Sequence, residues 1–132
     1  MTLAVLQILA IAAGGAIGGG VRFWTSGLVA RRFGETFPWG TLVVNVSGAI
    51  VIGALAGLLH SPGTHAVKHV PVWAGLAIGV LGSYTTVSSF SLQTLALLRT
   101  GESGRALGNI VASLALCLTA AALGYAGVLW LG

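Results

Sequence analysis

Aspartate is absent from the 132 residues of the chain, and the only glutamates are Glu35 and Glu102, both in polar connections. No serine has a histidine within a plausible partner set inside an apolar stretch. General acid-base and nucleophilic catalysis therefore lack their side chains, and the sequence does not read as an enzyme. The single cysteine, Cys117, excludes an intrachain disulfide. Charged residues make up 6% of the chain, where soluble domains carry about 25%. No soluble catalytic domain fits.

In place of charge there is hydrocarbon: 56% hydrophobic residues and a mean hydropathy of +0.99 mark an integral membrane protein. Four apolar stretches, Leu3 to Val29, Trp39 to Leu59, Val70 to Leu98 and Leu107 to Leu131, are each long enough as helices to cross about 30 Å of bilayer. The expected fold is a single all-α domain of four transmembrane helices over residues 1–132. The breaks are short and polar: Arg31 to Pro38, Ser61 to His65, and Arg99 to Gly104. Trp39, Trp73 and Trp130 lie near span ends, where interfacial aromatics belong. No basic residue precedes Arg22, so the first stretch lacks the charged start of a cleavable signal and reads as a retained helix.

The formal net charge of +4 rests on Arg22, Arg31, Arg32, Lys68, Arg99 and Arg105. They are scattered, which argues against a nucleic-acid patch and for contacts with membrane lipid headgroups at span ends. The first and third connections hold four of them and the second holds Lys68, so the positive-inside rule puts connections one and three in the cytoplasm. His60, His65 and His69 cluster around the second connection; without a nearby carboxylate or thiolate they read as solvated interface residues rather than metal ligands.

Polar residues inside the spans are the informative remainder. The third stretch is longer than a straight span needs, and the run from Gly82 to Ser91, GSYTTVSSFS, falls near its middle. Hydroxyls at that depth cost free energy unless bonded, and a helix break there would free the carbonyls of Gly82 and Thr85. Asn45 stands in the second stretch. Asn109, Ser113 and Cys117 recur every four residues and share one face of the fourth helix. Neutral donors of these kinds replace water around a small anion without trapping it, and they also serve as interhelical glue. With no acid inside a span, proton-coupled export has no coupling group, and a passive pathway is favoured. Glycine pairs at Gly14/Gly18, Gly15/Gly19, Gly53/Gly57 and Gly75/Gly79 let helices approach closely, and so small a bundle argues for an oligomer.

Three segments carry a family resemblance. Gly14 to Phe23, GGAIGGGVRF, resembles the G-G-x-x-G-A-x-x-R-Y opening of the CrcB/Fluc fluoride channels; Gly40 to Gly48, GTLVVNVSG, resembles their G-T-L-x-V-N-x-x-G segment; and the Gly82 run matches G-x-x-T-T-F-S-T-F-S in order. With four spans and a similar length, the resemblance covers essentially the whole chain.

The resemblance implies a fluoride-selective channel of the bacterial inner membrane, built as an antiparallel, dual-topology dimer with two pores and a central structural sodium ion. Gly82 and Thr85 stand where backbone carbonyls hold the sodium, and oxygen ligands suit a hard cation. Asn45 stands at the pore asparagine, Phe90 at a fluoride-facing ring, and Arg22 at a vestibule arginine. Thr86 and Ser89 belong to the pore run, and Asn109 and Ser113 to a polar track that Cys117 continues. The chain departs from the pattern at Val87, where the first of two phenylalanines is usual, unless Tyr84 compensates. It departs again at Asn109 and Cys117, where a tyrosine and a serine are usual. The alternatives are one half of a heterodimeric channel, favoured by the basic bias and Val87, and a non-conducting assembly subunit.

Overall fold

The computed structural model describes residues 2–60 and 70–131. Ser61 to His65, Lys68 and His69 lie outside the described residues. The chain is all helical among those described: α1 (Leu3–Phe33), α2 (Trp39–His60), α3 (Pro71–Ala74), a π-helical segment (Gly75–Leu81), α4 (Gly82–Tyr84), α5 (Val87–Arg99) and α6 (Ser103–Leu131). Four stretches are long and apolar enough to cross a membrane: Leu3–Phe33, Trp39–His60, Pro71–Arg99 and Ser103–Leu131.

Two ends differ from the sequence expectation, for local reasons. The first helix runs on through Arg31 and Arg32 to Phe33. Cations in a last turn face the negative end of the helix dipole, so polarity alone does not stop the helix there. Gly34 does, at φ 80 with its N–H on the Ala30 carbonyl at 2.8 Å. The fourth helix begins at Ser103 rather than Leu107. Its start follows from how α5 ends: Gly101 has φ 80 and donates to Leu98 C=O at 3.1 Å, while Glu102 N–H reaches Leu97 C=O at 2.8 Å. This is the paired C-terminal bonding that a left-handed glycine permits. The turn leaves Glu102 free to accept from Ala106 N–H at 3.0 Å and to pair with Arg105 at 3.2 Å, starting α6 at once.

Packing rests on small residues. Gly14 and Gly18 on α1 are buried against the π-helical segment, where a Cβ on Gly18 would run into the Val80 carbonyl. On α2, Gly53 meets the Ala121 backbone and Gly57 meets Tyr125 and Val128, while Gly124 of α6 meets Ile50. Gly15 and Gly19 are only half-buried, and Gly19 faces open space. Close backbone approach supplies the van der Waals contact that holds helices in lipid, where apolar burial gives no drive between them.

Large apolar side chains point outward: Phe23 is 82% and Trp130 88% exposed, as lipid-facing residues are. Among the described residues the largest fully buried side chains are Val44 and Asn109, so the interior is small and part polar. Arg31, Arg32, Arg99 and Arg105 gather at one end, since one cavity touches both Gly34 and Thr100.

Candidate functional site

Between α4 and α5 the backbone of Thr85 (φ −78, ψ 157) and Thr86 (φ −152, ψ 120) is extended. Such backbone within an apolar span needs partners for its amides. Asn45, on α2, supplies two: its Oδ1 accepts from Thr86 N–H at 2.8 Å and its Nδ2 donates to Thr86 C=O at 2.9 Å. The Thr86 hydroxyl caps α5, accepting from Ser89 N–H at 3.1 Å and lying 3.1 Å from the Ser88 hydroxyl. Thr86 also donates to Ser89 Oγ at 3.2 Å. The Thr85 hydroxyl turns back to the Leu81 carbonyl at 3.1 Å, and Gly48 is bare where the Thr85 methyl sits.

These bonds have a consequence for two carbonyls. In a continuous helix Thr86 N–H would close on Gly82 C=O, and Ser89 N–H on Thr85 C=O. Both donors are instead engaged by side chains, Thr86 N–H by Asn45 and Ser89 N–H by Thr86. Gly82 is exposed and has open space where a Cβ would stand.

Two cavities open beside this segment. The inner one, about 250 Å³, is lined by Arg22, Phe23, Ser26, Thr41, Val44, Thr86 and Ser89. An outer one, about 600 Å³, shares Ser26, Thr41 and Ser89 with it and widens past Gln93 and Thr100 to Glu35. The two form a polar cleft between α1, α2 and α5. Among the described residues, Arg22 and Glu35 are the charged ones on its walls. Gln93 Oε1 is buried without a hydrogen-bond partner among the described residues, which leaves an acceptor to be met by something in the cleft.

A second polar line runs on the other side of α5. Ser113 Oγ donates to Asn109 Oδ1 at 3.4 Å, Asn109 Nδ2 donates to Thr94 Oγ1 at 2.9 Å, and Thr94 Oγ1 donates to Phe90 C=O at 2.7 Å. Asn109 is 2% exposed, so its amide depends on these partners. Phe90 and Thr94 are four residues apart and so share one face of α5.

The expected residues thus fall into groups. Arg22, Thr86 and Ser89 share the inner cavity, and Asn45 grips the backbone beside it. Asn109 and Ser113 sit together on the inward face of α6 with the half-buried Cys117. Val87 is 76% exposed. The Tyr84 hydroxyl lies 2.9 Å from Ser47 Oγ, which donates to Val43 C=O at 2.7 Å, so Tyr84 is tied to α2. His60 makes an edge contact with Tyr125, ring centroids 6.2 Å apart. Thr41, Gln93 and Thr94 carry no distinguishing sequence signal beyond Thr41's place in the Gly40 to Gly48 segment.

Four apolar membrane-length helices, with a polar cleft between α1, α2 and α5, define a multi-pass membrane protein. The chain belongs to the CrcB family: the family model described as CrcB-like protein, Camphor Resistance (CrcB), matches residues 9–125. It is 58% identical over 126 residues to the fluoride-specific ion channel FluC 2 of Rhodopseudomonas palustris (strain BisB18), covering 90% of each chain. It is 51% identical over 130 residues to the fluoride-specific ion channel FluC 3 of Brucella suis biovar 1 (strain 1330), covering 98% of this chain and 96% of the relative. A further relative, the fluoride-specific ion channel FluC of Opitutus terrae, is 55% identical over 121 residues, with 89% of this chain and 88% of the relative covered.

Proposed function

We propose that the chain forms a passive, fluoride-selective channel that relieves fluoride toxicity. The observation that carries this reading is the cavity that Arg22 lines together with Ser26, Thr41, Thr86 and Ser89, in a chain whose relatives are named as fluoride channels. An arginine in the cleft raises local anion concentration, and hydroxyl donors such as Thr41 and Ser89 replace water that a small anion sheds, while Ser26 and Thr86 donate within the protein to Phe23 C=O and Ser89 Oγ. HF crosses a bilayer as a neutral molecule and dissociates inside, leaving the anion trapped; an open path for fluoride needs no energy coupling. Purified chain in liposomes should release fluoride and retain chloride. Retention of both anions would leave two readings, one half of a heterodimeric channel and a non-conducting assembly subunit.

The extended pair Thr85 and Thr86 is, in this proposal, a break within the third membrane span. Gly82 and Thr85 would hold a structural sodium ion through their carbonyls. The donor chemistry fits: the backbone amides that would otherwise occupy these two carbonyls are bonded elsewhere, and neutral oxygen ligands suit a hard monovalent cation. Bound there, the ion would neutralise the carbonyl dipoles of the break.

The oligomer is proposed to be an antiparallel dimer in the bacterial inner membrane. Gly82, Val87, Ser88 and Ser91 are exposed on the single chain, and polar groups facing lipid are costly, so a second subunit over this face is the economical arrangement. One observation favours a heterodimer: Arg31, Arg32, Arg99 and Arg105 all sit at one end, which biases insertion toward one orientation with that end in the cytoplasm. Fluoride efflux from liposomes holding only this chain separates the two arrangements.

A further inference from the structure

Among the described residues, Gln93 Oε1 is the one buried side-chain oxygen or nitrogen without a hydrogen-bond partner. Gln93 lines the outer cavity, on the same face of α5 as Ser89 one turn earlier. Its Nε2 is accessible and also has no partner among the described residues. The amide thus turns its oxygen into the protein, out of reach of water, and leaves both N–H donors to the cavity. An unpaired buried oxygen is costly, and a cost of this kind in a folded protein points to a role for the side chain that bears it. The orientation suits one class of ligand. A cation or a donor would be met by the oxygen; an anion is met by N–H groups whose carbonyl dipole points away from it. Other neutral donors stand on the same walls. Thr41, 7% exposed on α2, lines both cavities and its hydroxyl has no partner among the described residues, while Ser89 Oγ accepts from Thr86 Oγ1 at 3.2 Å and keeps its own hydrogen to donate.

We propose that Gln93 is an anion-binding residue of the outer cavity, its Nε2 donating to fluoride in company with the hydroxyls of Ser89 and Thr41. The inference rests on the fluoride-channel reading above and adds a donor to it. Arg31, Arg32, Arg99 and Arg105, gathered at this end of the bundle, draw anions toward the mouth; neutral donors on the wall then take the place of water without trapping the ion. The arrangement sets stability against function. Exchanging the amide for an apolar group of the same shape removes the unpaired oxygen, which relieves the fold, and removes the N–H donors, which deprives the ion. A residue that served only the fold would lose stability in the same exchange.

The test compares the purified full chain with Gln93→Met. Glutamine occurs at two positions, Gln7 and Gln93, so glutamine-selective heavy-nitrogen labelling gives two side-chain amide signals in NMR, and the one lost in Gln93→Met belongs to Gln93. Sodium fluoride should move the Gln93 amide protons downfield, equal sodium chloride should move them far less, and Gln7 should stay in place. In liposomes at sub-saturating fluoride, Gln93→Met should slow efflux about ten-fold, as expected for one lost hydrogen bond to a charged group, while its Tm in detergent equals or exceeds that of the parent. A Gln93 signal that fluoride leaves unmoved overturns the proposal, as does unchanged efflux in Gln93→Met. A lowered Tm accompanying slower efflux also overturns it, since that pattern marks a structural residue. A parent chain that releases no fluoride defeats the reading of this chain alone as a channel; the fluoride titration of the Gln93 amide then decides the proposal separately.

Discussion

The side-chain amide of Asn45 grips the main chain of Thr86 from both sides, accepting from its N–H at 2.8 Å and donating to its C=O at 2.9 Å. An asparagine can do this because its amide has the same donor and acceptor geometry as a peptide group. It replaces, for one residue, the strand neighbour that extended backbone would have in a sheet. One donor hydrogen on Nδ2 remains, so the same residue can steady the segment and still offer an N–H to an ion.

Asn45→Ala should therefore destabilise the fold as well as impair fluoride flux. It strands an N–H and a C=O on a residue that is itself buried, and unpaired buried groups cost about 1–3 kcal/mol each. Thermal unfolding in detergent should show a clearly lowered Tm, and hydrogen exchange at the Thr86 amide should accelerate. A variant with unchanged Tm and protection would mean that the two bonds do not hold the extended pair.

Close packing predicts a contrast between glycines. Gly18→Ala drives its Cβ into the Val80 carbonyl, a backbone atom that cannot swing aside, whereas Gly127→Ala on α6 meets nothing within 4 Å. The first should cost about 1–3 kcal/mol by overpacking, and the second should stay within about 0.5 kcal/mol. Unfolding midpoints of the two variants check this directly.

The buried line from Ser113 through Asn109 and Thr94 to Phe90 C=O predicts coupling rather than simple loss. Thr94→Val removes the acceptor of Asn109 Nδ2 and leaves a buried donor unpaired; Asn109→Leu removes that donor and leaves Thr94 with its second bond to Phe90. The double variant should be less destabilised than the sum of the two singles, by about 1 kcal/mol. Strict additivity of the unfolding free energies would show that the bond contributes little.

How far these features are legible in sequence depends on how far apart their parts lie. Hydropathy displays four spans because each span is a local property of its own residues. The four-residue spacing of Asn109, Ser113 and Cys117 likewise puts them on one face without any knowledge of the fold. Thr94 is different: alone it is one more hydroxyl in a helix, and its part in the polar line appears only when α6 brings Asn109 against it. Thr41 and Gln93 become neighbours of one cavity only after α2 and α5 pack. The Asn45 grip is least visible, since it joins positions 41 residues apart. Polarity alone does not mark the end of α1 or the start of α6; Gly34 and Gly101, at φ 80, set them.

The surroundings of Val87 make a specific prediction. At 76% exposure it has room in the single subunit, so Val87→Phe should fold without strain and leave Tm nearly unchanged. Any functional change must then come from what faces the side chain, a partner subunit or the ion. A phenyl edge is electropositive where an isopropyl group is not, so fluoride conductance or affinity should rise in Val87→Phe. Tyr84 is poorly placed to supply that edge already, because its hydroxyl lies 2.9 Å from Ser47 on α2. Tyr84→Phe separates the cases: it releases the tether while keeping the ring, and if Tyr84 were the compensating aromatic, flux should change in this variant more than in Val87→Phe. Unchanged fluoride flux in Val87→Phe would show that a second ring at this position adds nothing to conduction in this chain.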